Sequence, residues 1–145
     1  MKPELVDGGI AIDDRGELIF ANSFAIADYK RFYVIKNHTA QFVRAWHGHK
    51  REGKAIIVLE GAAVIGAVKI DDWDSPDKNL EVTRVVLSSK KPSVFRIPPG
   101  YANGIMTMTA DTVVLVFSSS SLEDSMGDDF RYPARMWDIW QVEER

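Results

Sequence analysis

The segment Arg44-Ala-Trp-His47-Gly-His49-Lys50, with Lys54 shortly after it, sets two imidazoles among several fixed cations. Side chains two apart on a strand project from one face, so His47 and His49 are expected to point the same way. Imidazole takes and returns a proton near neutral pH and is also the commonest metal ligand. Flanked by lysine and arginine, the pair suits an anionic substrate, with either proton transfer or metal chemistry. The alternative is a solvated strand face, against which Trp46 and the apolar run after Lys54 argue for an interior-facing neighbourhood. His38, in Lys-Asn-His-Thr, lies in a polar, turn-like context and is read as exposed.

Two other clusters carry chemistry. In Ile97-Pro-Pro-Gly-Tyr-Ala-Asn103-Gly104, two prolines and a glycine make a stiff turn that would fix the orientations of Tyr101 and Asn103. Asp13-Asp-Arg15-Gly16 is a tight turn bearing an arginine, whose planar fork suits phosphate. A metal reading would draw on His47 and His49 with Glu52 or Glu60. It is the weaker one, because the expected third imidazole is replaced by Asn103 and the Glu52 spacing is short.

These residues need a scaffold. Short runs rich in β-branched and aromatic residues recur at even spacing, from Leu18-Ile-Phe20 and Arg31-Phe-Tyr33-Val-Ile35 to Thr112–Ser118, separated by turn-forming clusters. That pattern predicts an all-β antiparallel sandwich or barrel. One short C-terminal helix is expected around Ala134 to Val142, where Met136, Trp137 and Trp140 fall at helical spacing. The 145 residues read as a single domain, 1–145, with 46% hydrophobic and 27% charged residues, ordinary for a globular chain. A net charge of −3 argues against a nucleic-acid partner. The absence of cysteine removes disulfides and thiolate chemistry. No leader or membrane span is seen, so a cytoplasmic location is the expectation.

His-Gly-His followed by glycine, then Pro-Pro-Gly, resembles the two halves of the cupin pattern. More closely, Asp14-Arg-Gly16, Arg44-Ala-Trp-His47, Gly53-Lys54, Val58-Leu-Glu-Gly61, Asp72 to Pro76, Leu87-Ser88 and Ile97 to Gly104 occur in the order seen in dTDP-4-dehydrorhamnose 3,5-epimerases. The resemblance covers residues 13 to about 118. Tyr29-Lys-Arg-Phe-Tyr33 leading into the paired histidines is similar to the related sugar 3,4-ketoisomerases.

The resemblance implies a cupin-type jelly-roll barrel acting on a nucleoside-diphosphate 4-keto-6-deoxyhexose, dTDP-linked, with no cofactor. His47 would be the base beside the keto group, Lys54 the cation near the keto oxygen, and Arg15 and Arg44 the diphosphate grip. Phe20, Tyr101 and Asn103 join the substrate-binding set; His49 and Tyr33 join the catalytic one, with Asp138 as carboxylate partner of the base and Asp129 competing. The resemblance also implies a homodimer with exchanged N-terminal strands and a place in polysaccharide biosynthesis. The chain departs from the epimerases in several respects: Asn103 stands where they commonly have a turn histidine, and Ser121-Leu-Glu-Asp124 offers no nucleobase-stacking aromatic. Their late-strand tyrosine, the acid that returns a proton on the opposite face, has no counterpart in Val113-Val-Leu-Val-Phe117-Ser118. An epimerase is the leading expectation, a ketoisomerase the alternative, and a sugar-nucleotide-binding protein without catalysis the third.

Overall fold

A computed structural model describes all 145 residues. Along the chain run β1 (Glu4–Asp7), β2 (Gly9–Asp13), β3 (Gly16–Phe20), β4 (Arg31–Ile35), β5 (Val43–His49), β6 (Lys54–Glu60) and β7 (Ala62–Lys69). After them come β8 (Val82–Ser88), β9 (Ser93–Ile97), β10 (Tyr101–Thr107), β11 (Val113–Ser118), the helix α1 (Leu122–Met126) and β12 (Phe130–Arg131). Two five-stranded sheets result, in the orders β1-β9-β6-β11-β4 and β12-β5-β10-β7-β8, with β2 and β3 as a separate hairpin. From β4 to β11 the chain passes repeatedly from one sheet to the other, giving the cupin-like jelly roll that the sequence predicts.

Alternation fills the space between the sheets. Ile56 and Val58 of β6, Ile65 and Ala67 of β7, Phe95 of β9 and Val114 and Val116 of β11 point inward and form one dry core. The outer face of the second sheet buries a second cluster. There Trp46, Val64, Val68, Ala102 and Met106 meet Trp137 and Trp140 of the C-terminal segment.

That segment is not the helix expected over Ala134 to Val142. Ala134–Trp137 make a single hydrogen-bonded turn, and the only α-helix is α1, capped by Ser121, whose hydroxyl accepts from the Asp124 amide at 3.1 Å. The indoles explain the difference. Trp46 and Trp140 both donate to the Ala134 carbonyl, at 3.2 and 2.9 Å, so the acceptor a continuing helix needs is already taken. Trp137 meanwhile donates to the Asp77 carbonyl at 3.0 Å. Tertiary packing of three tryptophans overrides a local helical spacing.

The indoles need flat ground, and two glycines provide it. Gly66 of β7 and Gly104 of β10 are paired across the second sheet. A Cβ on Gly66 would stand 2.6 Å from the Trp46 indole and 2.7 Å from Ile139, and one on Gly104 would stand 2.6 Å from the Ala45 methyl. Replacing Gly66 with alanine is therefore expected to cost about 1–3 kcal/mol by overpacking, read as a lowered midpoint in denaturant unfolding. A Gly66→Ala protein as stable as wild type would show that the indole face is not tightly seated.

Candidate functional site

A regular strand would turn Arg44 and His47, three residues apart, to opposite faces. In β5 they share one. The register with β10 shifts between Asn103, opposite His47, and Ile105, opposite Arg44. Ala45 and Trp46 are left together against Gly104, a β-bulge with both side chains in the outer cluster. The extra residue returns Arg44 to the inner side with His47 and His49.

All three line a cavity of about 470 Å³ where β4 of one sheet faces β5 and β10 of the other. Tyr33 and Arg31 come from β4, Lys54 from the start of β6 and Asn103 from β10; Leu122, Ser125 and Met126 of α1 close the rim, with Asp129 and Arg131 after them. Lys54 Nζ donates to the Tyr33 hydroxyl at 3.1 Å, so that oxygen accepts from the ammonium and keeps its own proton to give elsewhere. Arg44 Nε donates to Asn37 Oδ1 at 2.7 Å, which aims its guanidinium, and Asn103 donates to the His47 carbonyl at 3.2 Å.

The charges set the imidazoles. Burial, then the Lys54 and Arg131 cations, pushes His47 down to about 4, with Asp129 pulling the other way. At neutral pH His47 is a free base. For His49, burial and Lys54 work against a proton, opposed by Glu52 and the Asp128 carbonyl, and the balance lies below the usual imidazole range. Ser118, Lys54 and His49 hold the Glu52 carboxyl below its ordinary range against the effect of burial, which is the largest single influence.

One carboxylate builds the turn after β5. Asp128 accepts from the backbone amides of Lys50, Arg51 and Glu52 at 2.8, 2.8 and 3.1 Å, while its own carbonyl lies 2.6 Å from His49 Nδ1. Glu52 is thereby set inside the barrel, 2% exposed, its Oε1 accepting from Ser118 Oγ at 2.7 Å and its Oε2 3.2 Å from His49 Nε2.

Of the residues singled out in the sequence, Tyr33, Arg44, His47, His49, Lys54 and Asn103 meet at this cavity. Four do not. Tyr101 turns into the core, its hydroxyl 3.5 Å from the Met1 carbonyl. Asp138 lies on the outer side of the second sheet, 3.3 Å from Arg135, so the acidic group beside His47 is Asp129. Arg15 stands at the tip of the β2–β3 hairpin, paired with Asp13, and Phe20 packs over Gly9 at the hairpin's base. Phe117 faces outward against Phe24 and Tyr29, so β11 presents Val116 and Ser118 inward and no phenol. His38 is exposed. Sequence reading passed over Arg31, which shares the face of Tyr33 at a spacing of two, and weighed Glu52 only as a ligand. Asp128 and Arg131 reach the site from about 80 residues away, and no local spacing announces them.

A family model described as FdtA: WxcM-like, C-terminal matches residues 1–132. No curated protein matches the sequence. Among solved structures, the rmlC epimerase of Mycobacterium tuberculosis is similar at a TM-score of 0.78 and 15% identity, over 95% of this chain and 74% of that one. The RmlC 3,5-epimerase of Legionella pneumophila, in complex with dTDP-4-keto-L-rhamnose, gives 0.77 and 18%, over 99% and 80%. QdtA, a sugar 3,4-ketoisomerase of Thermoanaerobacterium thermosaccharolyticum in complex with TDP, gives 0.67 and 22%, over 94% and 92%.

The depressed proton affinity of His47 has a measurable consequence. Its imidazole resonances stay flat through the ordinary range near 6.5 and move near 4. Through that window the unfolded chain binds a proton at this residue that the folded chain refuses. The stability His47 contributes is thus complete above about 6.5 and is lost as pH falls toward 4. A His47→Asn protein is expected to lose less stability than wild type across the same window in urea melts. His47 titrating at the ordinary imidazole value would contradict the electrostatics above.

Proposed function

The chain belongs to the FdtA: WxcM-like, C-terminal family, and from that membership we propose a nucleotide-sugar isomerase that moves a proton beside the keto group of a nucleoside-diphosphate 4-keto-6-deoxyhexose. The observation that carries this reading is the pairing, across one cavity, of a neutral imidazole with a phenol held by an ammonium. His47 is a base at neutral pH, and Tyr33 with Lys54 is a proton donor whose resulting anion meets a fixed cation. A carbon acid next to a carbonyl needs both, because imidazole removes its proton only if the enolate oxygen is stabilised at the same time. Arg31, Arg44 and Arg131, on the cavity wall, suit a diphosphate, whose remote grip orients the sugar.

Within that class, 3,4-ketoisomerisation fits best. His47 takes the C3 proton while Tyr33 gives its proton to the C4 oxygen, forming an enediol. The phenolate, held by Lys54, then accepts the proton of the C3 hydroxyl as His47 returns its own to C4. The carbonyl has moved from C4 to C3, and both residues regain their starting states. The lack of an inward phenol on β11 supports this form, as does the near-equal length of QdtA. The second reading, 3,5-epimerisation, is supported by the position of Tyr33 on the sheet opposite His47, where it would return protons to the far face of the ring.

A homodimer is part of the same proposal. Ile12 and Leu18 on the hairpin and Phe32 on the outer face of β4 are 74%, 68% and 65% exposed, an apolar surface that a second copy would cover. Arg15, remote from the cavity of its own chain, would then serve the partner's. The enzyme would act in the cytoplasm, supplying deoxysugars for polysaccharide assembly. No helix is long and apolar enough to cross a membrane.

Incubation with dTDP-4-keto-6-deoxyglucose in deuterated water tests the reading. A 3-keto product is expected; deuterium at C5 would instead select the epimerase. Neither exchange nor turnover with any 4-keto nucleotide sugar sinks both. His47→Asn is expected to lower kcat about 100- to 10,000-fold, the usual range for a lost general base. Sedimentation equilibrium is expected to give a dimer. Arg15→Ala is expected to raise KM about tenfold or more with kcat little changed, the loss of a charge-assisted contact. A monomer, or an unchanged KM, would remove Arg15 from the site.

A further inference from the structure

His49 has no nitrogen left for a substrate. Its Nδ1 lies 2.6 Å from the Asp128 carbonyl, an oxygen that only accepts, so Nδ1 carries a proton. Its Nε2 lies 3.2 Å from Glu52 Oε2. Both of these atoms are buried and neither makes a hydrogen bond to any group, although they lie in contact with each other. In a neutral ring, the Nε2 lone pair would face a carboxylate lone pair in a place closed to water. Two buried acceptors in contact are the arrangement folded proteins avoid.

We propose that His49 and Glu52 hold one proton in common, as Nε2–H donating to Oε2, and that Glu52 is the positioning residue that keeps His49 an imidazolium. A single proton satisfies both orphaned atoms and cancels the carboxylate charge at contact distance. Glu52 Oε1 is already engaged by Ser118 at 2.7 Å and by Arg31 at 3.4 Å, which leaves Oε2 for the ring. The other groups facing the pair are Lys54, 3.7 Å from Oε2, with Tyr33 beyond it, Ser125 from α1, and His47 with Asp129 and Arg131 on the far side. Lys54 opposes the added positive charge, and burial opposes any lone charge on the ring. Together those two influences hold the ring's proton affinity below the usual imidazole range. The shared proton overturns that balance because without it Nε2 and Oε2 would be two bare acceptors in contact in a place closed to water.

The consequence for catalysis, which rests on the isomerase reading, is a division of labour between two histidines at adjacent inward positions. His47 moves the proton. His49 is a fixed cation lining the same cavity as Lys54, and its charge favours the Tyr33 phenolate that Lys54 contacts. The protonation state itself does not depend on that reading.

The chain has three histidines, so long-range proton–nitrogen correlation spectra of the nitrogen-labelled protein are simple to assign with His38→Asn and His49→Asn variants. At neutral pH both ring nitrogens of His49 are expected to carry protons, and Glu52→Gln is expected to leave a neutral ring protonated at Nδ1 alone. A bare Nε2 in the wild-type protein overturns the proposal, as does a doubly protonated His49 in folded Glu52→Gln. The wild-type spectrum decides even if the variant does not fold. If both nitrogens are protonated and no keto sugar is turned over, the isomerase reading fails and this inference stands.

Discussion

The packing of the Trp46 indole against the outer face of the second sheet holds the bulge in β5, and the bulge decides which side chains enter the barrel. With Trp46 fully buried among Val64, Val68, Trp137 and Trp140, its side chain has nowhere else to go. Ala45 is crowded beside it over Gly104, and the strand can resume its alternation only one residue later. Arg44 and His47 thus both face inward. Burying an indole of this size is worth several kcal/mol, far more than the local irregularity costs, so the apolar exterior sets the polar interior. The glycines at 66 and 104 and the C-terminal turn belong to the same device.

Inside the barrel the governing quantity is charge balance. Glu52, Lys54, Arg31, Arg44, Arg131 and Asp129 surround two imidazoles set below the surface, where charges are less screened than in bulk water. His47, buried near Lys54 and Arg131 with one carboxylate opposing, is stripped of its proton; His49 lies against the Glu52 carboxylate. The two rings have the same chemistry and the same strand, and their surroundings push them toward different tasks. Asp128 arranges this by clamping three successive amides with its carboxylate and one ring nitrogen with its carbonyl.

Much of the site was legible because strands convert spacing into direction. His47 and His49 at a spacing of two do share a face, and Tyr33 and Lys54 were recognisable from their places in the resemblance to nucleotide-sugar isomerases. Arg15 and Phe20 were drawn from the same resemblance, yet within one chain they sit on a hairpin that leaves the barrel. Asp138 came from the same resemblance, which expects a carboxylate near the C-terminus, but the segment that carries it packs on the outer side of the second sheet. Tyr101 looked well placed after the Pro-Pro-Gly turn and does share the inward parity of Asn103 along β10. It sits two residues nearer the turn, however, where the interior is packed with core side chains, while Asn103 lies at the cavity.

The sequence by itself determined the all-β class and most of the inward-facing histidine strand, because hydrophobic alternation and turn chemistry act over a few residues. The jelly-roll arrangement was implied by the chain's resemblance to a known family. Only the tertiary structure decided that Arg44 joins His47, that Phe117 turns away, and that Asp128 and Glu52 fix the second imidazole. Those outcomes depend on contacts between segments far apart in the chain, where a bulge or a buried carboxylate is favoured by what lies across the sheet rather than beside it in sequence.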